Sequence, residues 1–294
     1  MFPIAIKELL QSQLEAAINV PITSWENKPV GGGSINQTWQ LTINKNDKYF
    51  CKVNSAEKYP LLFEKEKNGL QLLKSRKIFV IPNIILCTVI ETYQVLIIEW
   101  IEPAFPRKPF WEVFGEQLAT LHAISQDQFG LEEDNYMGAL PQSNKWEKNW
   151  VDFFIQQRII AQLKIAFDKH FIQHSDLACF ESLYRNLPAI FPEEPAALLH
   201  GDLWNGNFLC NEAQKPVLID PAIYYGHRAM DLGMTTLFGG FENKFYQAYS
   251  HYYSFSENYK EQWDACNLYP LLIHLNLFGS SYYSQVMTIA KKYC

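Results

Sequence analysis

The chain has 294 residues, 48% hydrophobic and 19% charged, a balance that excludes a disordered or purely solvating polypeptide. The net charge is −6, which excludes a general nucleic-acid binder with its basic face. An anionic substrate must then be met by a few local cations or a metal, not by a global field.

Residues 5–18 read as an amphipathic helix closed by Pro21, and Pro29-Val30-Gly31-Gly32-Gly33-Ser34 reads as a glycine-rich turn. Residues 38–43 and 49–54 alternate like strands around a hairpin loop at 44–48. Residues 59–75 look helical, with Leu62, Leu70 and Leu73 apolar. Two more apolar strands, 84–90 and 94–101, flank the turn Glu91-Thr92. Pro103, Pro106 and Pro109 then break the pattern, and the chain turns mostly helical. Trp111, Phe114, Leu118 and Leu121 share one helix face, and 146–167 and 171–187 follow as helices. Within this helical half sits a short β-like insert, 197–220.

Residues 265–290 carry no Asp, Glu, Lys or Arg, a stretch long enough to span a bilayer. They also hold Asn267, Pro270, His274, Asn276, Gly279 and several serines. Leu268, Leu271, Leu272, Leu275 and Phe278 repeat at helical spacing, so the expectation is a buried helix broken near Gly279, and no membrane partner. The six cysteines (Cys51, Cys87, Cys179, Cys210, Cys266 and Cys294) form no CxxC and no zinc spacing, and no secretory signal is visible. Free thiols in a reducing cytoplasm are expected.

The insert carries the chemistry. It reads Leu199-His200-Gly201-Asp202-Leu203-Trp204-Asn205-Gly206-Asn207, then Val217-Leu218-Ile219-Asp220-Pro221-Ala222. The apolar flanks suggest short buried strands that present polar groups at their ends. A buried carboxylate is costly unless paired or on a metal, and two carboxylates with an amide suit Mg²⁺. His-x-Asp-x-x-x-x-Asn followed by a second Asp is the arrangement of kinase catalytic and metal loops: Asp202 accepts a hydroxyl proton, while Asn207 and Asp220 hold metal. A lone Asp-Gly turn would be only a loop; the whole constellation is hard to explain that way.

The first hundred residues supply independent parts. Lys52 sits mid-strand, pointing opposite to Cys51 and Val53, and needs a partner. Glu66 on the following helix is one candidate and Glu64 another; a strand lysine held by a helix glutamate and aimed at phosphates is the kinase arrangement. A surface lysine on an edge strand is the plain alternative. Gly31, Gly32, Gly33 and Ser34 would let backbone amides approach phosphates, although a simple tight turn fits the same residues. Glu99-Trp100-Ile101-Glu102 joins the two halves; the backbone of Glu99 and Ile101 suits an adenine edge, and a plain connection fits equally. The expected fold class is therefore α+β, a two-lobed protein kinase-like fold. A small antiparallel-sheet lobe (1–100) binds nucleotide, and a larger, mostly helical lobe (101–294) carries the catalytic and metal loops. A metal-dependent hydrolase on His122, His200, Asp202 and Asp220 would want richer histidine ligation and leaves Lys52 without work.

These residues resemble the fructosamine kinase (ketosamine-3-kinase) family, related to aminoglycoside phosphotransferases and choline kinases. Carrying the resemblance are Gly31 to Asn36, Phe50-Cys51-Lys52-Val53-Asn54, Glu64 and Glu66, Leu118-Ala119-Thr120-Leu121-His122, Trp146, Trp150, Phe153-Phe154 and Arg158. His200-Gly201-Asp202-Leu203-Trp204, Asp220-Pro221-Ala222, Tyr225-Gly226-His227 and Asp231 complete it, over essentially the whole chain. The resemblance implies ATP-dependent phosphorylation, with Mg²⁺, of the C3 hydroxyl of a ketosamine, small or protein-bound, after which the amine is released. It implies that Asp202 is the base, that Lys52 meets the phosphates, and that Trp204 and His227 lie by the substrate, with Trp146 and Trp150 as further aromatic candidates. It also implies that Asp231 holds the catalytic loop. Ser34 stands where many members have Cys, so a glycine-loop disulfide switch is not expected. Other hydroxylated amines, an aminoglycoside or a choline-like molecule, are the rival substrates.

Overall fold

The computed structural model describes residues 2–31 and 35–294, so Gly32, Gly33 and Ser34 of the glycine-rich turn lie outside the described residues. In chain order come α1 (Lys7–Ile18), β1 (Trp25–Pro29), β2 (Gln37–Ile43), β3 (Asp47–Ser55), α2 (Leu62–Ser75), β4 (Ile84–Ile90), β5 (Tyr93–Glu99) and α3 (Phe110–His122). The short strands β6 (Ser125–Gln126), β7 (Asn135–Met137) and β8 (Leu140–Gln142) follow. Next, α4 (Trp150–Phe153) runs through a π-helical turn (Phe154–Ile159) into α5 (Ile160–Asp168). Then come α6 (His174–Ile190), β9 (Ala196–Leu199), β10 (Phe208–Cys210), β11 (Pro216–Leu218) and β12 (Tyr224–Gly226). Helices α7 (Ala229–Met234), α8 (Asn243–Tyr252), α9 (Tyr259–Phe278) and α10 (Tyr283–Ala290) complete the chain.

Two units result: residues up to Pro106 together with Leu209–Asp220, and Arg107–Phe208 together with Pro221–Cys294. This differs from a single division after residue 100. The reason is the β10–β11 hairpin, which joins the first unit: the Ala104 amide donates to the Cys210 carbonyl at 2.7 Å, and Val80 forms a parallel bridge with Val217.

The first unit is built on a five-stranded antiparallel sheet in the order β1-β2-β3-β5-β4. Alternation along the strands assigns its faces. Trp39, Leu41, Ile43, Cys51, Val53, Val95 and Ile97 all turn to one side, where they pack with Leu10 and Leu14 of α1. Lys52, offset by one residue, turns to the other side, the side α2 covers. The sequence missed β1 because its residues Trp25-Glu26-Asn27-Lys28-Pro29 are mostly exposed and show no apolar alternation.

In the second unit, β9 lies between β12 and β6, and its four residues are all buried. Helix α3 packs on α8, and α7 packs on α9. Helix α9 ends at Gly279, as the periodicity predicted, with Leu268, Leu271, Leu272 and Leu275 buried. Among the described residues, no helix is long and apolar enough to cross a membrane.

The cysteine expectation needs a correction. Cys51, Cys87, Cys210 and Cys266 are free thiols, but Cys179 of α6 and Cys294 form a disulfide with their Cα atoms 4.7 Å apart. Folding brings together two positions 115 residues apart, which linear spacing cannot show. Such a link restricts the unfolded chain, so reducing it should cost about 2–4 kcal/mol. Thermal unfolding with and without reductant checks this. A fall of about 3–6 °C is expected, absent in Cys179→Ser; an unchanged midpoint in the wild type contradicts it.

Candidate active site

Two constellations stand out, one in each unit. In the first, Lys52 lies on the central strand β3, paired with Thr38 of β2 and Leu96 of β5. Its side chain is only 2% exposed, which excludes the edge-strand surface lysine. The ammonium donates to Glu66 Oε1 at 2.7 Å and to Asp220 Oδ1 at 2.6 Å. Glu64, the competing candidate, turns elsewhere and pairs with Lys67, so the helix partner is Glu66. Burial alone would lower the Lys52 pKa, but the charges and hydrogen bonds of Asp220 and Glu66 outweigh it and push it up. Burial pushes Glu66 up to about 7, against the pull of Lys52. Lys52 therefore stays an ammonium, held between the two carboxylates.

Asp220 has φ 54°, a left-handed conformation that Asp tolerates better than most residues. Gly31 is exposed at the start of the glycine-rich turn. The neck of that turn is closed twice: the Val30 amide donates to the Thr38 carbonyl at 3.0 Å, and Thr38 Oγ1 donates to the Val30 carbonyl at 2.7 Å. Glu99 uses its side chain and amide on Asn83, accepting at 2.6 and 3.1 Å and donating at 2.9 Å. Ile101 lies two residues beyond the end of β5 and is partly exposed. Any adenine reading here falls to backbone atoms.

In the second unit, β9 delivers His200-Gly201-Asp202 at its C-terminal end. The Asn207 amide nitrogen donates to the Asp202 carbonyl at 2.8 Å and to Asp202 Oδ2 at 2.7 Å. Two acceptors on the nitrogen fix the amide's orientation and turn its oxygen the other way. Asp231 is 1% exposed and accepts the His200 and Gly201 amides, both at 2.8 Å. Burial would raise its pKa, but the hydrogen bonds from His122 and the Gly201 amide bring it below the ordinary carboxylate value. Gly201 has φ 84°, and a Cβ there would lie 2.0 Å from the Ala222 carbonyl oxygen, so no other residue fits this turn.

Trp204 is half-buried and edge-on to Phe238, with centroids 5.6 Å apart. Trp146 is 38% exposed and stacks on Tyr225. Trp150 is not available to a sugar: it is 4% exposed, among Phe129, Phe153, Phe154 and Phe191. The substrate contact expected of His227 fails for the same reason. Its ring is 1% exposed, walled by Trp150 and Phe191, and its Nδ1 accepts the Ala229 amide at 3.2 Å. Tyr249, Arg228 and Glu194, which prove to be linked to Asp231 through His122, carried no signal in the sequence. They come from separate helices and a loop, and no spacing rule joins them.

Among the described residues, no group of three or more His, Cys, Asp or Glu side chains gathers as metal ligands, so the histidine-rich hydrolase centre is not formed. Taken separately, Asp220 in the first unit keeps a carboxylate 38% exposed, and Asn207 in the second keeps an oriented amide oxygen; each is a hard oxygen donor of the kind Mg²⁺ accepts.

The chain matches the family model for fructosamine kinase over residues 6–294. The chain belongs to the fructosamine kinase family. A probable ketoamine kinase of Synechocystis is 35% identical over 286 residues, covering 97% of this chain and 96% of that one. The chloroplastic protein-ribulosamine 3-kinase of Arabidopsis thaliana is 35% identical over 273 residues, covering 90% and 81%. The crystal structure of a candidate fructosamine-3-kinase from Haemophilus somnus superimposes with a TM-score of 0.88 at 26% identity, covering 97% and 96%. Family membership makes this chain a ketoamine kinase, a phosphotransferase with a hydroxyl acceptor on the protein kinase-like fold.

The buried His227 makes a pH prediction. Burial lowers its pKa from 6.5 to about 4. Below pH 6.5 the unfolded ring takes a proton that the folded ring refuses until about pH 4, so stability is lost as pH falls through that window. The loss should reach about 2 kcal/mol at pH 5. Urea unfolding at pH 7.5 and pH 5 checks it: His227→Asn should show a smaller acid loss than wild type, and equal losses contradict it.

Proposed function

We propose that the protein transfers the γ-phosphoryl group of ATP to the C3 hydroxyl of a ketosamine, with Asp202 as the base. The carrying observation is the Asp202–Asn207 pair. A partly exposed carboxylate stands at a strand end, oriented by an amide and seated on a loop that Asp231 grips by its backbone. Asp202 takes the proton as the hydroxyl oxygen attacks phosphorus; the bond to ADP breaks, and ADP leaves. Lys52, steadied by Glu66, holds the phosphates. Asp220 and Asn207 are the residues for Mg²⁺, which when bound offsets charge on the phosphate oxygens. The Trp204 face supports the sugar, and Gly31 to Ser34 with the Glu99 and Ile101 backbone hold the nucleotide. Free and protein-bound glycated amines share this chemistry. Family relatives named for ketoamines and ribulosamines support this acceptor over aminoglycosides or choline.

An ATP-consumption screen over fructosamines, ribulosamines, kanamycin and choline tests the reading. Turnover is expected with the ketosamines alone; turnover with only kanamycin or choline overturns it. Asp202→Asn should keep nucleotide affinity and lose about 10²–10⁴-fold in kcat. A nearly intact kcat would remove Asp202 from the base role.

A further inference from the structure

A line of buried polar groups in the second unit ends on the loop that carries Asp202. Glu194 accepts two hydrogen bonds from Arg228, at 2.8 and 3.0 Å. The positive charge of Arg228 acts on the Tyr249 hydroxyl. That hydroxyl lies 2.8 Å from His122 Nδ1, and His122 Nε2 lies 3.2 Å from Asp231 Oδ2. Asp231 in turn takes the amides of His200 and Gly201. His122, at 1% exposure, is the last residue of α3, and Tyr249 lies on α8. The two helices approach closely because Gly115 has no side chain: a Cβ there would lie 2.2 Å from the Phe245 carbonyl oxygen.

Donor and acceptor chemistry gives this line a direction. The Asp231 carboxylate can only accept, so His122 Nδ1 is the acceptor of the ring and takes the Tyr249 hydroxyl proton. The imidazole then carries its own proton on Nε2, toward Asp231. Tyr249 and His122 each present a donor to the next group, and the last acceptor is a carboxylate whose burial demands several donors.

We propose that His122 is a positioning residue for the phosphoryl transfer. Protonated on Nε2, it holds Asp231 in the orientation that grips the His200 and Gly201 amides, and so sets where Asp202 stands against the acceptor hydroxyl. The inference rests on the kinase reading above. It adds a residue that touches neither substrate nor nucleotide but governs the rate step, since a small displacement of a reacting group costs much of kcat.

Steady-state kinetics and amide exchange of His122→Ala, His122→Gln and Tyr249→Phe test it. His122→Ala should lose at least about tenfold in kcat while KM for both substrates stays within about twofold. His122→Gln returns an N–H at the position of Nε2 and should recover kcat to within about threefold of wild type. Tyr249→Phe keeps the ring and removes only the hydroxyl, which guards against a folding failure of the alanine variant; it should lose about threefold or more in kcat with KM unmoved. An unchanged kcat in Tyr249→Phe, a rise in KM instead of a fall in kcat, or equal losses in Ala and Gln would overturn the proposal. Hydrogen exchange at the His200 and Gly201 amides reads the same grip without any substrate. It should quicken in His122→Ala and be restored in His122→Gln, and no change would overturn the proposal. If the wild type phosphorylates no ketosamine, the functional reading fails while this exchange result still decides the role of His122.

Discussion

The second unit depends on one buried charge. Asp231 is almost wholly out of water, and an isolated carboxylate in that place would cost several kcal/mol. It is kept there by the two backbone amides it accepts and by His122. Those amides belong to His200 and Gly201, so neutralising Asp231 and shaping the loop before Asp202 are one act. Gly201 lets the loop take that shape, because its left-handed backbone passes too close to Ala222 for any side chain.

The first unit solves the opposite problem, a buried cation. Lys52 on the middle strand of five cannot reach water, so two carboxylates come to it, one from α2 and one from the far end of the β10–β11 hairpin. Asp220 reaches Lys52 across 168 residues because the hairpin folds with the first unit rather than with the helical elements around it in sequence. Each unit thus holds a charged group whose partners are dictated by its burial.

Much of this was legible from the residues. The alternation around Lys52 already placed it opposite Cys51 and Val53, and that offset puts it on the α2 side of the sheet. Whether Glu64 or Glu66 met it was not legible, because helix phase relative to a sheet is set by packing of Leu70 and Leu73, not by spacing to the lysine. The strand-end placement of the His200–Asn207 segment was legible because polar groups at fixed spacing interrupt buried strands. His227 misled because a motif neighbour need not face the same way: Tyr224-Tyr225-Gly226 is a buried strand, and the histidine after it turns inward. The Arg228–Tyr249–His122 line and the Cys179–Cys294 bond join segments far apart in sequence, and only the fold brings them into contact.

The most direct measurement is the position of the transferred phosphate. Incubating the protein with ATP and a ribulosamine of a small amine, then correlating ³¹P with the sugar protons by NMR, reads it without labels. The account predicts one phosphate per ADP formed, attached at C3. A phosphate on any other hydroxyl would contradict it.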